Sequence, residues 1–183
     1  ASLHLCGNTG TYVDSPRHRF REGADLAGLS LECLADLPVV VVDATVAGRA
    51  IGPEMLPTGD LRGKALLVRT DFSRHWGSDA YFVANPFLTD DACTLLVAAG
   101  MAFVGTDSLN IDDIADLARP AHTTLLRARI PMGQHMTHLP SLSPAGRPHA
   151  YPISRSCAAT FPSPTAVLGR PGRPGRARQC VGV

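Results

Sequence analysis

The residues best suited to chemistry lie together near the start of the chain, in Asn8-Thr9-Gly10-Thr11-Tyr12-Val13-Asp14-Ser15-Pro16-Arg17-His18. Hydroxyl, carboxylate and imidazole groups recur there at short intervals between Gly and Pro, a composition that suits a site or a turn better than a core. Gly10 permits close approach of backbone or ligand, and Pro16 stiffens the exit of an Asp-Ser-Pro turn. Asp14 and His18 are four residues apart and can converge on one bound atom. The competing reading is that Asp14 only caps the turn ahead of Ser15 and Pro16. A second polar group, Asp71, Ser73, Arg74, His75 and Trp76, follows an apolar run, at the kind of strand end where α/β proteins place ligands. Its alternative is a solvated loop with Trp76 covering the core. A third group is Gln134, His135 and His138. On an extended segment Gln134 and His138 share a face and His135 points away, and a surface or hydrogen-bonded histidine is the plainer reading of either.

These groups need elements to position them. Leu3–Cys6 is a strand candidate leading into the first group. Leu26, Leu29, Leu31, Leu34 and Leu37 recur as in a helical turn or two packed on a sheet. Leu37–Asp43 and Lys64–Thr70 are apolar on both faces, which predicts buried strands. Residues 45–63 are irregular, with a short turn at Pro53–Leu56. Thr89 followed by Asp90 and Asp91 predicts a capped helix ending at Gly100. Met101–Gly105 predicts a strand. Asn110–Arg119 reads as a helix stopped by Pro120, His122–Arg129 as a further helix, and Ile130–Leu139 as a strand. Strands alternating with helices define an α/β class.

Composition bounds the answer. At 183 residues, 45% apolar and 18% charged, the chain has the make-up of one globular domain. Its apolar run Leu37–Val42 is too short to span a bilayer, and a charged-then-apolar leader is not expected. The five cysteines are widely spaced, with no Cys-x-x-Cys pair, which favours reduced thiols and a cytoplasmic location. Residues 1–140 carry 11 Lys/Arg against 16 Asp/Glu, a net of −5, whereas residues 141–183 carry six Arg and no acid. The Arg/Pro/Gly-rich end is expected to be disordered. It has too few arginines, and no interleaved aromatics, for a nucleic-acid partner.

The first group and four later blocks resemble the cyclase family of metal-dependent hydrolases, which includes kynurenine formamidases (arylformamidases) and isatin hydrolases. The family motif His-x-Gly-Thr-His-x-Asp-x-Pro-x-His aligns with residues 8–18. The likeness continues through Gly63–Thr70, Ala80–Phe82 with Asn85–Leu88, Val104–Asp112, and His122–Leu126 with Ile130–Gln134. It implies a swivelling β/β/α domain over residues 1–153, with its N-terminal strands missing, and a tail over residues 154–183. It further implies a homodimer acting on a small-molecule substrate, without nucleic acid or membrane.

Carried across by position, the resemblance makes Asp14, His122, Gln134 and Asn8 metal-ligand candidates and His18 the proton-transfer group. The family's first two histidines fall on Asn8 and Tyr12, and its late glutamate falls on Gln134. Amides are weaker, harder ligands than imidazole, so the implied cofactor is a single weakly held Mn²⁺, Mg²⁺ or Zn²⁺, or none. In the metal version a bound water attacks an amide or ester carbonyl, and His18 carries the proton to the leaving group. In the metal-free version His18 is the base, while Tyr12 and Asn8 donate to the developing oxyanion. Trp76 and Phe82, with Phe87 beside them, are candidates for receiving an aromatic substrate. The implied activity is hydrolysis of a formamide, lactam or ester. The reading from a different class is a non-catalytic small-molecule binder or a pseudogene-like fragment.

Overall fold

The apolar runs become the centre of a sheet. The computed structural model describes residues 8–142. The strand expected at Leu3–Cys6 and the tail at 154–183 lie outside them. Strands β1 (Tyr12–Asp14), β2 (Val39–Asp43), β3 (Ala50–Ile51), β4 (Ala65–Arg69), β5 (Phe87–Leu88), β6 (Phe103–Thr106) and β7 (Met132–Gln134) accompany helices α1 (Asp90–Ala98) and α2 (Pro120–Arg127). Five strands form one sheet in the order β1-β7-β6-β4-β2, parallel from β7 to β2, with β1 antiparallel on the β7 edge. β3 and β5 pair separately. The α/β expectation is met.

β4 lies inside the sheet between β6 and β2 and is covered on both faces, which is why it reads as an unbroken apolar run. Leu66 and Val68 face a cluster with Leu96, Leu125, Leu126 and Met132, into which both helices pack. Ala65 and Leu67 face the other way, onto Val13, Phe103 and Leu139. The segment from Leu26 to Leu37 contains only a single 3₁₀ turn, at Leu31–Cys33, and Leu26, Leu34 and Leu37 pack on that second cluster.

Helix α1 begins and ends where its residue types predict. Thr89 Oγ1 accepts from Ala92 N at 3.2 Å. At the other end Gly100, at φ +71°, lets Met101 N reach Leu96 O and Gly100 N reach Val97 O, a Schellman closure. The expectation of a helix over Asn110–Arg119 is overturned. Asn110, Asp113 and Asp116 each take a backbone N–H two residues ahead, at 2.9–3.0 Å, and this replaces the helical pattern with successive turns. Pro120 opens α2 instead of stopping a helix, because the first helical position has no intrahelical use for an N–H.

The strand expected over Ile130–Leu139 stops at Gln134. His135 takes φ +54° and His138 φ +64°, which breaks the alternation. His135 is consequently the buried histidine and His138 the exposed one, the reverse of the expected facing.

Candidate metal centre

The antiparallel pair β1–β7 sets the floor of the site. Its register places Tyr12 opposite Gln134 and Asp14 opposite Met132, so these four side chains share one face of the sheet. That is the face on which α2 packs, and α2 contributes His122 from its first turn. Beyond Asp14 the chain turns through the 3₁₀ segment Pro16–His18 and returns His18 over its own carboxylate. The return is tight: a Cβ on Gly23 would lie 2.6 Å from the backbone carbon of Pro16, so the loop beneath His18 closes only with glycine there.

Asp14 and His18 are thereby brought together with His122 and Gln134, which lie far from them in the chain. Asp14 is 1% exposed. His18 Nδ1 lies 3.5 Å from its Oδ1, and His122 Nε2 lies 3.6 Å from its Oδ2. One ligand atom from each of Asp14, His18 and His122 falls within 4.8 Å of the others, close enough to hold one ion. Gln134 Nε2 donates to Asp14 Oδ2 at 2.6 Å and sits 3.2 Å from His122 Nε2. Asp14 Oδ1 and Gln134 Oε1 are buried oxygens without a hydrogen-bond partner. Oxygens that only accept, left unpaired beside two imidazoles, are the donor set a divalent cation satisfies, so these residues fit the cation that the resemblance implies.

Asp112 is the residue that sequence reasoning missed. Its carboxylate is buried, accepts from Ala121 N at 2.6 Å and from His122 N at 3.1 Å, and faces His122 Nδ1 at 2.5 Å. It caps α2 from outside the helix and fixes the histidine ring in one step. Its only signal in the sequence was an acid upstream of a proline-led helix. Burial opposes a charge on His122, but the hydrogen bonds and fields of Asp112 and Asp14 outweigh it and raise the pKa above the ordinary value. A proton on Nε2 would point at Asp14 Oδ2, and without it Nε2 accepts from Gln134.

The two remaining candidates of the first motif pair with each other. Asn8 Nδ2 donates to the Tyr12 hydroxyl at 3.0 Å. Tyr12 is 2% exposed, and burial, reinforced by Asp14, pushes its hydroxyl well above the ordinary phenol range. From Tyr12 a band of rings runs outward. His135 lies 5.3 Å from Tyr12 and 5.6 Å from both Tyr81 and Trp76, and Phe82 lies 5.9 Å from Tyr81. Trp76 and Phe82 stand at its outer end, 54% and 59% exposed. Phe87 is elsewhere, beneath the Arg49 guanidinium. In the loop after β4, Asp71 is held by Arg69 through two bonds of 2.9 and 3.0 Å.

His135 Nδ1 meets the Tyr81 hydroxyl at 3.1 Å, and burial depresses its pKa from 6.5 to about 4. The unfolded chain takes up this proton first as pH falls, so the stability held by the neutral ring is full above 6.5 and is lost towards pH 4. The loss approaches about 3 kcal/mol at the acid end of that window. His122 has the opposite sign, and its contribution is fully present once pH lies below its unfolded value. Urea unfolding at pH 6 and pH 4.5 should therefore show a smaller acid loss in His135→Gln than in the parent. Equal losses would remove His135 as the source.

Among the described residues no helix is long and apolar enough to cross a membrane. The family described as "Putative cyclase" matches residues 1–113. A kynurenine formamidase of Salinibacter ruber is 34% identical over 128 residues, which are 68% of this chain and 58% of that protein. A solved structure described as a potential metal-dependent hydrolase with cyclase activity is 27% identical, with a TM-score of 0.64 over 72% of this chain and 64% of the other. An isatin hydrolase bound to the product analogue thioisatinate is 20% identical, with a TM-score of 0.67 over 78% of this chain and 64% of the other, and it speaks for the fold. The chain thus spans less than two thirds of the length of each.

Proposed function

The chain belongs to the family described as putative cyclase, and from that premise we propose that it hydrolyses a C–N amide bond, in an aryl formamide or a related lactam, with one divalent cation held by Asp14 and His122. The observation that carries this reading is the convergence of Asp14, His18 and His122 beside two buried oxygens without partners. Mn²⁺, Mg²⁺ and Zn²⁺ all suit such a mixed oxygen and imidazole set. When bound, the cation supplies Lewis-acid polarisation of the carbonyl and a lowered pKa for water.

The chain's own residues supply the rest. Asp112 holds the Nδ1 proton of His122, so Nε2 faces the centre as a lone pair. His18 carries the proton: its Nδ1 faces Asp14, while a side chain 35% exposed exchanges with solvent. Trp76 and Phe82, at the open end of the ring band, offer flat apolar surface to an aryl group. On this reading the partners are a small-molecule substrate and a second copy of the chain.

The test is turnover of an N-formyl aromatic amine, followed by ultraviolet absorbance. Activity should disappear after treatment with a chelator and buffer exchange, and return with Mn²⁺ or Zn²⁺. Unchanged turnover after chelation would sink the metal-dependent mechanism, and no turnover with any added cation would sink the hydrolase.

A further inference from the structure

Gln134 occupies the centre in a way that a simple ligand would not. Its amide nitrogen lies 2.6 Å from Asp14 Oδ2 and 3.2 Å from His122 Nε2. A carboxylate only accepts, so the amide atom against it is the NH₂ and not the oxygen. When the His122 ring is neutral and presents Nδ1–H to Asp112 at 2.5 Å, Nε2 is an acceptor facing the same NH₂. One amide therefore spends both N–H groups on the two atoms that a cation would use. Its own Oε1 is left buried without a partner, a costly position for an amide oxygen. The two ends of an amide are close in size, and rotation about the terminal torsion exchanges them.

We propose that Gln134 is a cation latch: its NH₂ bridges Asp14 and His122 when no cation is bound, and it must turn to present Oε1 before a divalent cation is held. The bridge gives Asp14 Oδ2 and His122 Nε2 a partner without metal, so the centre stays assembled when empty. It also sets a competitor inside the site, because every cation that enters must first displace two hydrogen bonds. The cation then relieves the unpaired Oε1, which makes the turned amide a stable alternative. The gating half of this proposal rests on the reading of Asp14 and His122 as cation holders, whereas the bridging half stands on the hydrogen bonds alone.

Two variants of the full chain test it. Gln134→Leu removes the bridge at similar volume, and should lower the melting temperature of the chelator-treated protein by about 3 °C or more. In an Asp14→Ala background, where Gln134 has no acceptor left at that position, the same change should cost less. Gln134→Glu removes the competing donors and adds a charge, and should bind Mn²⁺ about a hundredfold or more tighter in calorimetric titration. A Gln134→Leu melting temperature equal to the parent's overturns the bridge. Parent and Gln134→Glu binding Mn²⁺ equally well overturns the latch and leaves the hydrolase reading standing, whereas uptake by neither overturns both.

Discussion

Asp112→Ala is expected to lower the melting temperature by roughly 10 °C and to weaken cation binding by about 10- to 100-fold. The carboxylate accepts two backbone N–H groups at the start of α2 and faces the His122 ring nitrogen, all in a buried setting. Losing a helix cap costs about 1 kcal/mol, and leaving a buried donor unpaired adds about 1–3 kcal/mol. Asp112→Asn separates the two duties. Its remaining carbonyl oxygen can still cap α2. Its NH₂, turned to His122, forces Nδ1 to accept and moves the ring proton to Nε2, on the side of Asp14 Oδ2, which removes the lone pair a cation would use. The asparagine variant should therefore keep most of the melting temperature and still lose cation affinity. Thermal unfolding beside Mn²⁺ titration reads both quantities. Full affinity in Asp112→Asn would show that His122 does not need this partner.

The reach of sequence reasoning follows the range of the interactions involved. Val39–Asp43, Ala65–Arg69 and the helix Asp90–Ala98 were legible because each carries its own signal: apolar runs, a capping hydroxyl with acids behind it, and a glycine just past the helix end. Asp14 and His18 were legible as a pair because four residues of spacing already bring them near each other. His122 and Gln134 were not legible by spacing, since more than a hundred residues separate each from Asp14, and the family resemblance alone pointed to them. Asp112 carried no local mark of its role, because what it holds is a helix end eight or more residues away.

His135 was misplaced for a different reason. Alternation assumes that a strand continues, and a single left-handed residue after Gln134 ends it. At Asn110–Arg119 the stretch ahead of Pro120 read as a helix, but the side chains of Asn110, Asp113 and Asp116 captured backbone amides that a helix needs. A left-handed residue ended the one segment, and local competition for backbone groups decided the other.

Asp14→Asn is expected to reduce cation affinity on the order of a thousandfold, while leaving the melting temperature of the metal-free protein level or higher. The two effects have one cause. Asp14 is 1% exposed, and only one of its oxygens is hydrogen-bonded, so in the empty protein it is a buried charge with an unpaired acceptor. Removing that charge relieves desolvation, and the asparagine oxygen still accepts from Gln134. The cation loses far more. Even a single unit charge at about 4 Å and an effective dielectric of about 20 is worth about 4 kcal/mol, close to three powers of ten in affinity. Turnover of an aryl formamide should fall with the affinity. Calorimetric titration with Mn²⁺ and a melting curve in chelator measure the two halves independently. A melting temperature lowered by more than about 5 °C with affinity intact would make Asp14 a structural residue of the β1–β7 edge. The expected opposition, lost binding without lost stability, is what separates a buried group retained for a ligand from one retained for the fold.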